Sequence, residues 1–218
     1  MMNLVLVILV WAIPLLLAIT LHEAAHGYAA LRLGDPTAYQ AGRISLNPLR
    51  HIDPVGTVLV PGAILLWGVL SGHSFPPFGW AKAVPVNFGR LSNPKRDMFW
   101  VAAAGPAANL LQALAWSLLA VLQRMLGGYG GDLFYAMTQA GMVANLALML
   151  LNLIPIPPLD GGRIAVSLLP HRWAWRLARI EPYGFFILIA LLYMDVLDVV
   201  LWPLIPVLKN MLTFSSGA

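Results

Sequence analysis

Residues 3–33 form an almost uninterrupted apolar run whose ionisable side chains gather at one end, in Leu21-His22-Glu23-Ala24-Ala25-His26, with Arg32 beyond them. About 20 apolar residues suffice for a helix to cross a bilayer, so this run is a membrane helix by itself. Hydrocarbon offers no water to the backbone, and a lone segment can satisfy its own N–H and C=O groups only as a helix. Pro14 is tolerated with a kink, and Gly34-Asp35-Pro36 ends the helix. No Lys or Arg precedes Arg32, and the run exceeds the apolar core of a leader peptide, so the segment reads as a first helix that is retained.

The rest of the chain repeats this character. Of its 218 residues, 60% are hydrophobic and 10% charged, against about 45–50% and about 25% in soluble domains. That excludes an ordinary soluble domain, a disordered chain and a disulfide scaffold. Cysteine is absent, which removes disulfides, thiolate metal ligands and a Cys nucleophile. The net charge of +4 is small, and no nucleic-acid partner is expected. Further apolar segments cover residues 54–71, 98–123, 133–154 and 183–208. The expectation is an all-α polytopic membrane protein with about four to five membrane segments. Residues 54–71 either span or re-enter, followed by an extended return. Residues 39–46 partly alternate and predict a small β-hairpin or edge strand near the site, able to receive a substrate strand. Asn109 and Gln112 interrupt one apolar segment, Asn145 and Asn152 another.

His22 and His26 lie at i and i+4, on one face of a helix. Two imidazoles one turn apart can hold one zinc ion, with Glu23 as general base toward its water. An ion so placed lowers the pKa of that water to about 7. Ionisable groups inside a membrane segment default to a functional reading; the alternative is a helix end at the interface, where His and Glu reach water. A catalytic zinc takes a third protein ligand and keeps one position open. The candidates are His51, Asp53, His73, Asp132, Asp160 and His171, with the later acids. Asp160 follows an apolar segment within a proline-rich break, where unwound backbone can turn a carboxylate inward. It is equally readable as a turn residue in Leu159-Asp160-Gly161-Gly162.

His22-Glu23-Ala24-Ala25-His26 resembles the zinc motif of the site-2 protease family of intramembrane metalloproteases. Gly105-Pro106-Ala107-Ala108-Asn109 resembles that family's intermediate motif. Asn152-Leu153-Ile154-Pro155-Ile156-Pro157-Pro158-Leu159-Asp160-Gly161 is similar to its acidic motif, and Lys82-Ala83-Val84-Pro85-Val86-Asn87 to the loop before the intermediate segment. The matches follow the family's order from residue 22 to residue 161. The resemblance implies a single membrane-embedded metalloprotease domain over 1–218. Within it, 1–34 carry the zinc-motif helix, 98–163 the second helix pair with the Asp motif, and 183–208 a C-terminal membrane segment. It implies one zinc ion per chain on His22, His26 and Asp160, with Glu23 as general base. Asn152 would stand near the reacting carbonyl as an oxyanion or substrate-positioning donor, or cap its helix before Pro155. The substrate implied is a transmembrane helix of another protein. The loops are too short for a PDZ-like insertion, no extra helix precedes the zinc helix, and the acidic motif lacks the Asn-Pro of some members, which places the chain among the compact members.

Asn109, Gly105 and Asn87 are candidate supporting residues. Asn109 is also readable as an interhelical amide, and Gly105 as a close-packing position. His51 and Asp53 suit a polar interfacial loop at least as well as a site, as do His73 and His171. The tryptophans near segment ends fit an interfacial belt, and the basic run from Arg172 to Arg179 suits anionic lipid headgroups.

Bringing Asp160 to the depth of His22 and His26 requires the first segment and 133–154 to run in one direction and 98–123 in the other. Residues 32–97 then begin and end on one side, so 54–71 must go in and the chain must return. Eleven basic residues (Arg32, Arg43, Arg50, Lys82, Arg90, Lys95, Arg96, Arg163, Arg172, Arg176 and Arg179) fall on the motif side, and only Arg124 and Lys209 on the other. The excess of Lys and Arg makes the motif side cytoplasmic, in a multi-pass protein of a bacterial inner membrane. Serine intramembrane chemistry of the rhomboid type fails on the spacing around Ser71. Aspartyl chemistry of the presenilin type fails on the order of Asp132 and the Tyr193-Met194-Asp195 pair. A zinc transporter or a non-catalytic zinc-binding scaffold remain as alternatives, separated from an enzyme by Glu23→Gln. The oligomeric state is left open.

Overall fold

In the computed structural model, which describes residues 4–71, 79–128 and 130–213, helix is the dominant backbone state. Three helices among the described residues are long and apolar enough to cross a membrane: α1 (Leu4–Arg32), α4 (Pro94–Met125) and α5 (Gly131–Asn152). Between α1 and α4 lie the single turn α2 (Thr37–Gln40), a wide turn of π type at Pro54–Leu59, and α3 (Val60–Ser71). After α5 come α6 (Asp160–Leu168), α7 (His171–Ala178), α8 (Gly184–Tyr193), α9 (Val196–Leu201) and α10 (Leu204–Leu212).

The three long helices form the central bundle. Their facing surfaces are built from small residues: Ala18, Ala24 and Ala30 on α1, Ala102, Ala113 and Ala120 on α4, and Ala140 and Ala144 on α5, all buried. Small side chains let backbones approach where lipid supplies no hydrophobic drive. Gly141 of α5 lies flat against the Trp116 ring, which a methyl there would meet at 2.5 Å. The outer face of α1 shows Leu6, Ile8, Leu9, Trp11, Ile13 and Leu15 to the surroundings, a pattern that suits lipid as solvent.

Helix directions follow from side-chain partners. Going down α1 from His26 to His22 to Ala18, the α4 partners climb from Val101 to Asn109 to Gln112. Asn109 meets Asn145 of α5, and Gln123 meets Gly131. So α4 is antiparallel to both α1 and α5, as expected. Residues 80–82 also return to the start of the excursion: Trp80 N–H donates to Gly56 O and Lys82 N–H to His51 O.

Two expectations need correction. Residues 39–46 are not a hairpin, and no strand occurs among the described residues. The backbone winds into α2 and closes with a glycine stop: Gly42 sits at φ +63°, its N–H bonds Tyr39 O, and Arg43 N–H bonds Ala38 O. This pair of bonds is the Schellman pattern, which needs a left-handed residue at that point. Gly34 ends α1 in the same way at φ +108°. Second, segment 183–208, which its prolines predict to break near Pro203 and Pro206, is interrupted earlier as well. It breaks at Asp195, which takes φ +57°, and again before Pro203, leaving pieces of 10, 6 and 9 residues. With α3 only 12 residues long, the long apolar helices number three among the described residues, where four to five segments were expected.

Candidate metal centre

Helical geometry puts His22 and His26 on the inner face of α1, one turn apart and inside the bundle. Asp160 opens α6, where its carboxylate also benefits from the positive end of the helix dipole. Its placement depends on the two glycines that follow. A methyl on Gly161 would fall 2.5 Å from Ile154 O, and one on Gly162 would fall 2.6 Å from Cδ of Pro157. The first turn of α6 therefore lies directly on the backbone of the proline-rich loop.

The three ligand atoms converge. His22 Nε2 and His26 Nε2 are 3.1 Å apart, and Asp160 Oδ2 is 3.3 and 3.2 Å from them. His22 and Asp160 are buried. The far nitrogens decide what faces the centre. His26 Nδ1 lies 2.7 Å from the carbonyl oxygen of Val101, which can only accept, so Nδ1 carries the proton. His22 Nδ1 lies 2.6 Å from Oδ1 of Asn109, which likewise accepts. Both Nε2 atoms then present lone pairs toward a carboxylate oxygen that has no hydrogen-bond donor. Three acceptors at such distances repel unless a cation lies between them. Zinc bonds of about 2.0–2.1 Å in a tetrahedron put ligand atoms about 3.3 Å apart, so the donor set fits zinc in type and in spacing. Among the described residues this is the one His/Asp/Glu group whose ligand atoms gather in this way.

Gly105 faces the same point from α4. A methyl there would lie 2.6 Å from Cε1 of both imidazoles. The residue packs closely, as the sequence suggests, and what it packs against is the pair of imidazoles.

Glu23 accepts a hydrogen bond of 2.7 Å at Oε2 from Val84 N–H. The stretch that supplies this donor is pinned from several sides. Arg43 donates to Lys82 O at 2.6 Å, Asn87 N–H donates to Asp35 at 2.6 Å, and Gly27 leaves room for Val84 and Ile44 against α1. The N–H groups of residues 80, 82 and 84 point one way, to Gly56, His51 and Glu23, as alternation in an extended chain dictates.

Other candidates take different places. Asn152 is the last residue of α5 and donates from Nδ2 to Leu148 O at 3.0 Å. Asn87 caps the turn at Phe88–Arg90. Asp53 caps Pro54–Leu59, accepting from Val55 and Gly56. His51 is buried with Nε2 on Ser45 O. Asp132 opens α5 at the opposite end of the bundle, and His171 is exposed at the start of α7. His73 lies outside the described residues. Arg43, the Val84 N–H and the Val101 carbonyl went unassigned from sequence; backbone donors and acceptors leave no side-chain signature there.

A family model described as Peptidase family M50 matches residues 129–194. A protein of Bacillus subtilis (strain 168) named "Putative zinc metalloprotease YwhC" is 36% identical over 200 residues, covering 88% of this chain and 84% of that protein. "Putative zinc metalloprotease Rip2" of Mycolicibacterium smegmatis is 31% identical over 84% of this chain and 66% of its own length. The Rip2 protein of Mycobacterium tuberculosis (strain H37Rv) is 32% identical over 72% of this chain and 54% of its own length. No solved structure matches the chain.

Proposed function

We propose, from the premise that this chain belongs to peptidase family M50 and is a zinc metalloprotease, that it cuts a transmembrane helix of another protein within or near the membrane. The observation that carries this reading is the convergence of two lone-pair nitrogens on an apolar spanning helix with the Asp160 carboxylate of α6, beside a fixed glutamate. His22, His26 and Asp160 would hold one zinc ion per chain. Zinc, when bound, supplies Lewis acidity, which makes water nucleophilic at neutral pH and polarises a carbonyl.

The remaining chemistry falls to side chains of this protein. Glu23 has one oxygen engaged by Val84 N–H, which orients the carboxylate and leaves Oε1 to take a proton from the attacking water. The same oxygen then delivers that proton to the leaving amine. Asn152 uses one amide hydrogen on Leu148 O, and its second is available to a developing oxyanion, where such a donor is worth about 3–4 kcal/mol. Gly105 keeps space at the imidazoles. The eleven-to-two excess of basic residues on the motif side supports a site that opens to the cytoplasm. The bacterial relatives, together with three long apolar helices, support a location in a bacterial membrane. Exposed Trp173 and Trp175, under Arg176 of α7 and Arg179 just beyond it, suit the lipid interface.

The test uses the full chain in detergent with a model transmembrane substrate. Glu23→Gln should retain zinc and lose cleavage, while Asp160→Ala should lose zinc. Full zinc in Asp160→Ala would remove Asp160 as a ligand, and full cleavage by Glu23→Gln would remove the general base.

A further inference from the structure

Behind His22 lies a second buried amide that the proposed mechanism does not use. Asn145 of α5 is fully buried, as is Asn109. Asn145 Nδ2 is 2.9 Å from Gly141 O. A carbonyl oxygen only accepts, so the nitrogen end of the Asn145 amide must face Gly141 and its Oδ1 must face Asn109. Asn109 Nδ2 meets that Oδ1 at 2.9 Å and Ala18 O at 3.3 Å. Both partners are acceptors, so the nitrogen end of Asn109 is fixed as well, and its Oδ1 is left for His22 Nδ1 at 2.6 Å. The polarity of the chain is thus set by backbone carbonyls of α5 and α1, and it ends by placing the proton of His22 on Nδ1.

We propose that Asn145 is a positioning residue for metal binding. Through Asn109 it holds His22 in the tautomer whose Nε2 lone pair faces the centre. Without Asn145, Asn109 keeps only the longer bond to Ala18. Its amide can then flip and present Nδ2 to His22, a donor that favours the proton on Nε2 and closes that nitrogen to a metal. Partners of this kind usually change metal affinity by about 10–100-fold when removed.

The inference rests on His22 being a zinc ligand, and the experiment separates the two ideas. Zinc affinity is measured by chelator competition in detergent for wild type, Asn145→Leu, Asn145→Ala, Asn145→Asp, Asn109→Leu, the Asn109→Leu/Asn145→Leu double variant and His22→Ala. Thermal stability of the metal-free form is measured beside it. Asn145→Leu should weaken zinc by about tenfold or more. Asn145→Asp should restore affinity to near wild type, because a buried neutral carboxyl can accept from Asn109 and donate to Gly141 O. In the double variant, loss of Asn145 should add nothing to loss of Asn109, since one acts through the other. If Asn145→Leu does not fold, Asn145→Ala carries the same expectation. Wild-type zinc affinity in the Leu or Ala variant, with only a lower melting temperature, would reduce Asn145 to interhelical packing and overturn the proposal. Additive losses in the double variant would also overturn it. Unchanged zinc affinity in His22→Ala would instead sink the ligand reading beneath it.

Discussion

Replacing Gly105 with alanine sets two physical effects against each other in one helix. In an exposed helix interior, Gly→Ala is worth about 1 kcal/mol of added stability. At Gly105 the new methyl would stand 2.6 Å from Cε1 of both His22 and His26. Ordinary carbon contact begins near 3.4 Å, so the His22 ring would have to retreat by about 0.8 Å and the His26 ring, whose Nε2 is the nearest atom, by more; overpacking of this kind costs about 1–3 kcal/mol. The stability terms nearly cancel. The metal terms do not, because ligand distances tolerate only about 0.2 Å and two of the three proposed protein ligands would move together. Gly105→Ala should therefore melt within about 2 kcal/mol of wild type while its zinc affinity falls at least about 100-fold. Chelator competition and metal content after dialysis read the affinity, and cleavage of a transmembrane substrate should fall in parallel. Gly62 provides the control, since a methyl there meets nothing within 4 Å. A Gly105→Ala protein that binds zinc as tightly as Gly62→Ala would refute the argument that α4 backbone abuts the proposed metal ligands.

Arg43→Met keeps the stem of the side chain and removes its donors to Lys82 O. Zinc content should be unchanged while turnover falls several-fold, because the stretch that hydrogen-bonds Glu23 is loosened; equal turnover would separate Arg43 from the site. Asp53→Ala should cost about 1 kcal/mol in a melting experiment as a lost cap and leave zinc content intact, whereas zinc loss would return Asp53 to the ligand set. Asp35 gives a pH signature. Burial pushes its pKa up, but hydrogen bonds from Thr37 and Asn87 and the charge of Arg90 outweigh this and hold it below the ordinary 3.8. A carboxylate lowered on folding stabilises above its unfolded pKa, and that contribution disappears as pH falls through the folded value. Stability should thus be level above about pH 5 and decline below about pH 4, and Asp35→Asn should be less stable at neutral pH with a shallower acid decline. An identical decline in the variant would assign it to other carboxylates.

The meeting of His22 and His26 is legible because a helix turns i and i+4 onto one face, and Glu23 stands out as the acid next to them in the sequence. The directions of α1, α4 and α5 are legible because a common depth for His22, His26 and Asp160 allows only one arrangement of the segments between them. Residues 39–46 misled because their weak alternation imitates a strand, while Gly42 two residues beyond Gln40 is the signal of a closed helical turn. In residues 183–208 the break near Pro203 was legible from the proline, whereas the one at Asp195 was not, because mean hydropathy does not register a single left-handed residue. Asn145 was visible as an amide in an apolar segment, but its partner is set by how α4 and α5 rotate about their axes, and composition does not encode that rotation.

The sequence distance between His26 and Asp160 has a consequence for biosynthesis. Those residues are 134 positions apart, so a ribosome adding about 5–20 residues per second needs about 7–27 s to get from one to the other. During that interval α1 carries two of the three proposed metal ligands and no carboxylate to complete the set. Newly made chain passing through the insertion machinery is therefore exposed to an immature protein that holds no complete ligand set. With the proposed ligand set, hydrolytic competence would arrive only when α6 docks, so the order of translation would itself hold the site inactive until late in synthesis.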